Sequence, residues 1–442
     1  MTHSRRHFAF ITSSVAIAVA GCHAILGLDD PTIEDGAALT DASDDALQVL
    51  GPTTDGADPS DAGLDADGDA EPEVVVTYNE QWDNPTLWNK LNLKELNAGT
   101  TSFVGAVFDG RYIYFAPSNN TTSPAFAARY DTKGNGFTVN DSWKFFDTAI
   151  LHPDARGFEG AFFDGRYVYF VPFAGPTVHT GRFTRFDTKA DRDFNDAQAW
   201  STFDTTTLNQ YAKGFIGAAF DGTRYAYAAP GIGNFPETGT RPQALAARFD
   251  TSQAATGFAS AGAWQFFDTQ TVAPQLDAGG PRGFVGAVYT GTHVYFVPYG
   301  YAVDLRGRVI RHETAKPFQS PSSWEVFDTL AIDPGAAGFQ GGAYDGRYVY
   351  LTPLLNESGQ HGTVTRFDTQ KPFTAASSWT AFDIATIDGG GVPSQEGRTP
   401  IKVGFVGAGF DGRFVYFSGN QSPAIHGWIA RFDSARTLPR SP

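Results

Sequence analysis

From residue 81 onward the chain repeats itself, with four landmarks recurring in a fixed order. The first is Gly-Phe-x-Gly-Ala-x-Phe-Asp-Gly, whose leading aromatic is Phe103, Phe158, Phe215, Phe284, Phe339 and Phe405. The second follows at once, as in Arg166-Tyr-Val-Tyr-Phe-Val-Pro172. The third, Ala-Arg-Phe-Asp-Thr, has its arginine at Arg129, Arg185, Arg248, Arg311, Arg366 and Arg431. The fourth is Phe, five residues, then Trp-x-x-Phe-Asp-Thr, as in Phe137 to Trp143 and Phe318 to Trp324.

Each landmark is a short aromatic and β-branched run bounded by Gly, Pro or Asp, which reads as a strand. Asp-Gly between the first two (Asp109-Gly110, Asp164-Gly165, Asp345-Gly346, Asp411-Gly412) is a strong hairpin signal and places Asp and Gly at the two turn positions. Four strands recurring roughly every 58 residues predict the blades of a β-propeller, each needing a neighbour on both faces to bury its apolar surface. The sixth repeat supplies three landmarks but not its Trp strand. A matching segment precedes the first repeat, with Trp82 in the place of Phe and Trp88 on the repeat Trp. Trp88 to Trp143 is 55 residues, as is Trp324 to Trp379. The expectation is an all-β, six-bladed propeller of four antiparallel strands per blade over residues 80–442, closed by an N-terminal strand that completes the C-terminal blade. Closure hides the edges an open array would expose.

The repeats resemble the β-propeller superfamily in general. They lack the Gly-Gly doublet of kelch repeats, the Trp-Asp ending of WD repeats and the Asp-box of sialidases, so the resemblance implies a fold and no activity.

Ahead of the repeats, Arg5-Arg6 precede an apolar run from Ala9 to Ala20 and then Gly21-Cys22. A charged start, a short apolar stretch and small residues make a signal peptide over residues 1–21. Ser4 to Phe8 resembles a twin-arginine export signal, and Val19-Ala20-Gly21-Cys22 resembles the lipobox of bacterial lipoproteins. The resemblance implies acylation at Cys22, the only cysteine, and insertion of the lipid into a bilayer. His23 after the Cys favours, by the same resemblance, the outer membrane of a Gram-negative bacterium. Residues 22–79 form an expected disordered tether: Asp29 to Asn79 holds fifteen acidic residues and no Lys or Arg. From Glu80 onward 33 acidic face 30 basic residues, so the folded part is near neutral and nucleic acid is not an expected partner.

No metalloprotease, nucleophile-elbow, phosphate-loop or cysteine-based motif occurs, and no cofactor is expected. The inner strand carries Gly and Ala at its fixed positions, as in Gly105-Ala106 and Gly160-Ala161, and no ionisable residue at a repeated one. The third-strand Arg and Asp lie two apart, on one face, and read as structural pairing between blades. His179, His361 and His426 precede the third strand in three repeats and are weak metal candidates, read more readily as solvated loop residues.

Connection lengths separate the two ends of the disc. The first turn of each repeat is minimal, whereas the connections from second to third strand and from fourth to the next first strand vary. Variable loops on a rigid scaffold are where binding normally lives. The candidate loops span 232–243, 273–281, 300–306 and 389–401, and the candidate residues are Asn234, Phe235, Glu237, Arg241, Tyr299, Tyr301, Asp304, Arg306, Glu396 and Arg398. The expected function is a monomeric, surface-displayed binding or scaffolding module for a protein or glycan. The alternative is a hydrolase or lyase acting on the same face.

Overall fold

The computed structural model describes residues 91, 93–100, 102–118, 124–231, 244–276, 280–301, 304–384, 404–410, 414–419 and 429–434. Within them lie five four-stranded antiparallel sheets, spanning 103–147, 158–204, 215–268, 284–328 and 339–383, and a three-stranded sheet spanning 405–433. Strand order follows the chain in every sheet, so each is a meander. The second sheet is representative, with strands Phe158–Phe163, Tyr167–Pro172, Arg182–Asp187 and Trp200–Asp204. All four landmarks are therefore strands, and the fold is a propeller-like repeat. The fourth strand foreseen for the sixth sheet falls largely outside the described residues; Leu91, at its end, belongs to no strand.

First strands of consecutive sheets lie side by side. Each breaks its pairing register around a glycine, as between Phe158 and Ala161. The break puts Gly105, Gly160, Gly217, Gly286 and Gly341 at positive φ, where a Cβ is disfavoured. The same glycines meet across sheets. A methyl group on Gly105 would lie 2.8 Å from the Cα of Gly160, one on Gly217 2.9 Å from that of Gly286, and one on Gly341 3.5 Å from that of Gly407. Six backbones thus converge in chain order, most tightly from the first sheet to the fourth, where an added Cβ would collide with the neighbouring strand.

Apolar layers fill the spaces between sheets. Tyr114 and Phe146 of the first pack with Val168, Phe170 and Trp200 of the second, and similar clusters follow between later pairs. The repeat Trp closes each layer. Its indole nitrogen donates to the carbonyl of the Phe six residues earlier, at 2.7 Å for Trp200 to Phe194 and 2.8 Å for Trp379 to Phe373. Its ring covers the fourth-strand Phe of the preceding sheet: Phe146–Trp200, Phe267–Trp324 and Phe327–Trp379 stack with centroids 4.7 Å apart, and Phe203–Trp264 lies tilted at 5.8 Å. In the fifth sheet the equivalent Phe382 is 57% exposed, against 4% for Phe146.

Two local expectations are corrected. The central turn residues are Gly110-Arg111 rather than Asp109-Gly110, because the Asp109 amide donates to the Tyr112 carbonyl and closes the loop one residue later. Glycine then occupies the first central position, with φ 102°, as type II′ turns require. The aspartate works through its side chain, accepting from the amides of Arg111 and Tyr112 and from the Tyr114 hydroxyl. Secondly, the third-strand Asp does not pair with its own strand's Arg or across blades. Asp131, Asp187, Asp250 and Asp368 each take a two-pronged contact from the turn arginine of the same sheet, Arg111, Arg166, Arg224 and Arg347. It is the third-strand arginines that link sheets: Arg129 lies over Tyr112 of its own sheet and Phe194 of the next, and Arg248 over Tyr225 and Phe318.

Candidate functional site at the loop end of the axis

The two variable kinds of connection emerge at one end and are tied together there. The amides of Phe173 and Ala174, just past the second strand, donate to the carbonyl of Gly157, just before the first. Tyr299 and Gly300 repeat this on Gly283, and Leu354 and Leu355 on Gly338. Neighbouring repeats join at the same level, Gly214 donating to Thr180 and Gly338 to Arg306. A buried threonine fixes the floor of the connection after each of the first four sheets: the hydroxyls of Thr148, Thr205, Thr269 and Thr329 sit 2.5–3.0 Å from two carbonyls each. On this base the second-to-third connection is built out in three sheets. Ala174 and His179 form a bridge, Gly300–Tyr301 pairs with Asp304–Leu305, and Leu355–Asn356 pairs with Gly359–Gln360.

At the centre of this end stands the residue following each first-strand Phe: Val104, Glu159, Ile216, Val285, Gln340 and Val406. The glycine contacts make these positions neighbours in that order. Ile216 and Val285 turn toward the loop end, where they form a buried cluster with Tyr299 and Leu354, flanked by Phe173, Leu305 and Leu355. Val104 and Val406, in the first and last sheets, are exposed.

Glu159 holds the register of Ile216 in the second sheet and is half-buried. No hydrogen bond or ion pair reaches its carboxyl among the described residues. Desolvation, with no opposing charge, pushes its pKa up to about 8. Sequence reasoning missed this residue by looking for ionisable groups that recur. The signal was the opposite kind, one acid in a column that otherwise reads Val, Ile, Val, Gln and Val. Neither a histidine nor a second carboxylate shares the described ring positions, so a glycosidase-like carboxylate pair is not assembled from them.

The candidate residues named from sequence divide three ways. Tyr299 is at the loop end but 1% exposed, part of the apolar cluster, and its hydroxyl makes no hydrogen bond among the described residues. It supports the site from beneath and does not present a surface. Tyr301 and Asp304 supply the two arms of the small hairpin, and the Arg306 amide closes it on the Tyr299 carbonyl. Asn234, Phe235, Glu237, Arg241, Glu396 and Arg398 lie outside the described residues, as do Cys22 and His426. No group of metal-ligating side chains occurs among the described residues. His179 sets its ring edge-on to Phe173. His361, expected to be solvated, is instead buried, between the Ala337 carbonyl at 2.9 Å and the Thr363 amide at 3.2 Å.

Neither a protein-family model nor a curated protein matches the chain.

Proposed function

We propose that this chain is an exported lipoprotein, acylated at Cys22, whose propeller closes as six blades and serves as a binding module through its loop end. The difference between the two ends carries the reading. At the turn end the polar side chains of the first, second, third and fifth sheets are consumed internally: the first-turn aspartate holds two or three amides, and the turn arginine holds a third-strand aspartate. At the loop end the connections differ in length and shape between sheets while resting on a hydrogen-bonded floor that recurs in most described sheets, an arrangement suited to variable recognition on a fixed base. A protein or glycan is the partner class such a broad face accommodates.

Closure as six blades is supported by the Phe-to-Trp series. Four junctions place a Trp against the preceding sheet's Phe, Phe382 is exposed, and the repeat tryptophan still unassigned in the sequence is Trp88. The lipid anchor is supported by the lipobox-like residues and the single cysteine.

The test exchanges loops. Replacing 232–243 and 389–401 with the short connections of other repeats is expected to abolish capture of the partner from envelope extracts. Stability should move by less than about 1 kcal/mol, because loop closure entropy changes slowly with length. Asp164→Ala at the opposite end should lower stability and leave capture intact in folded molecules. Capture that survives the loop exchange refutes the assignment of the face. Cys22→Ser should remove acyl labelling and membrane sedimentation in a Gram-negative host, and sedimentation that persists refutes the anchor.

A further inference from the structure

We propose that Asn135-Gly136 is a self-modification site: the Asn135 side-chain amide is lost through a cyclic imide, and the isoaspartate that follows lengthens the backbone beside Trp143, the repeat tryptophan of the first sheet. The site lies at the turn end, between the third strand Phe126–Asp131 and the fourth strand Trp143–Asp147, and does not depend on what the loop end binds.

The chain contains a single Asn-Gly pair, and the structure sets it on a turn with Asn135 exposed. Cyclisation requires the backbone nitrogen of the following residue to reach the side-chain carbonyl carbon of the asparagine. That nitrogen must be uncovered and the backbone free to rotate, and glycine supplies both. Gly136 has φ 123°, and an added Cβ would meet only Val139 Cγ2, at 3.5 Å. Among the described residues neither its amide nor the Asn135 side chain makes a hydrogen bond. The repeat explains the idle amide. The residue before the equivalent Phe is Pro317 in the fourth sheet and Pro372 in the fifth, so the fold does without an N–H at this place. Other described asparagines lack the combination. Asn97 and Asn209 accept from the amides of Gly99 and Tyr211, and Asn356 is held at both ends, by the Gly335 carbonyl and the Ser358 amide. Asn140 and Asn195 precede Asp141 and Asp196, whose side chains crowd the nitrogen and whose charge opposes loss of its proton.

In the reaction the Gly136 nitrogen bonds to Asn135 Cγ, the Cγ–Nδ2 bond breaks, and ammonia leaves with the proton that the backbone amide gives up. Water then opens the imide. Opening at Cγ leaves aspartate on an unchanged backbone, whereas opening at the main-chain carbonyl leaves isoaspartate, with an extra methylene in the chain. Both products carry a new negative charge, and only the second moves the backbone that leads into Phe137. That residue anchors the repeat tryptophan: its carbonyl accepts from the Trp143 indole nitrogen at 2.7 Å, and its ring lies 5.4 Å from that of Tyr130 and 5.6 Å from that of Trp143. The lengthened chain therefore loosens the hold on Trp143, and the charge alone does not.

The experiment incubates the intact protein for several days at pH 6 and at pH 9, then cuts it with trypsin after Lys133 and Lys144, so that Asn135 and Asn140 fall in one peptide. Fragment masses should place the amide-to-acid conversion on Asn135 and leave Asn140 as the unreacted internal control. Ammonia should appear in step, faster at pH 9, where the attacking nitrogen gives up its proton more readily, and the peptide of Asn135→Ser should stay unchanged. Asn135→Asp carries the charge on a normal backbone and should melt like wild type. The aged acidic fraction, its isoaspartate content read from the separate chromatographic forms of the peptide, should melt at a lower temperature. Asn135 that stays intact at pH 9, or converts no faster than Asn140, overturns the site. An isoaspartate-rich fraction that melts with Asn135→Asp overturns the link to Trp143.

Discussion

Phe327 ends the fourth sheet and Trp379 opens the last strand of the fifth, yet their rings lie flat against each other, centroids 4.7 Å apart and planes 8° from parallel. The indole is held in that pose by its own sheet, through Phe367, Phe373 and the hydrogen bond to the Phe373 carbonyl. The second to fifth sheets each present such an aromatic lid to the one before.

Trp379→Ala should destabilise the protein by roughly 3–5 kcal/mol, read from urea unfolding. In a double-mutant cycle Phe327→Ala and Trp379→Ala should couple by about 0.5–1.5 kcal/mol, beyond area burial alone. Additive effects would mean that the stacking geometry contributes nothing of its own.

Closure makes a parallel prediction. Trp88→Ala should cost a similar amount, about 3–5 kcal/mol, and should couple to Phe382→Ala as the internal pairs do. Deleting residues 80–98 should collapse the cooperative melt, whereas deleting 28–75 should leave it nearly unchanged. A normal transition after the first deletion would show a ring that is open or closed by another segment.

Glycine acts in two different ways, and a pair of variants separates them. Gly165 has φ 95° with nothing within 4 Å of an added Cβ, so Gly165→Ala meets backbone strain alone and should cost roughly 1–2 kcal/mol. Gly217 has φ 72° and faces the Gly286 backbone, so Gly217→Ala adds a collision between two sheets and should cost clearly more in thermal unfolding. Equal losses would remove the contact at the axis from the account.

The fourth sheet contains a pH-sensitive position. His312 stands where other sheets carry Phe or Tyr, is fully buried against Trp324 and Phe318, and its Nε2 makes no hydrogen bond among the described residues. Desolvation, helped by the charge of Arg248, lowers its pKa from 6.5 to about 4. Above pH 6.5 both folded and unfolded forms are neutral there and nothing is lost. As pH falls from 6.5 to 4 only the unfolded chain takes the proton, so stability declines by at most roughly 3 kcal/mol. His312→Phe should remove this part of the acid sensitivity, seen as a gap between variant and wild-type urea midpoints that widens from pH 7.5 to 4.5. A constant gap would exclude proton linkage at this residue.

The repeat itself was legible because a propeller blade asks for the same side-chain types at the same spacings, and Phe158, Trp200 and their equivalents announce them. The Asp-Gly turn was legible as a turn but misplaced by one residue, since Asp164 shapes the loop through its carboxylate and not through its own backbone angles. The partner of Asp187 was hidden because Arg166 is distant in sequence and near only once the hairpin folds. Glu159 was overlooked for a different reason. Pattern reading favours what recurs, and this acid occurs once in its column.

Each described sheet pairs only strands consecutive in the chain, and the extensive packing between sheets joins only sequence neighbours. Such a polypeptide can acquire structure progressively, each finished sheet offering a template to the next, with little entropy lost to distant encounters. In the closed ring proposed above, the slow event then lies outside every repeat, in the meeting of the two extremities, whose loop spans the whole domain. Phe382 and Phe432 are exposed among the described residues, and under that proposal they stay in contact with solvent until the ends meet, the interval when this molecule is most open to misassociation.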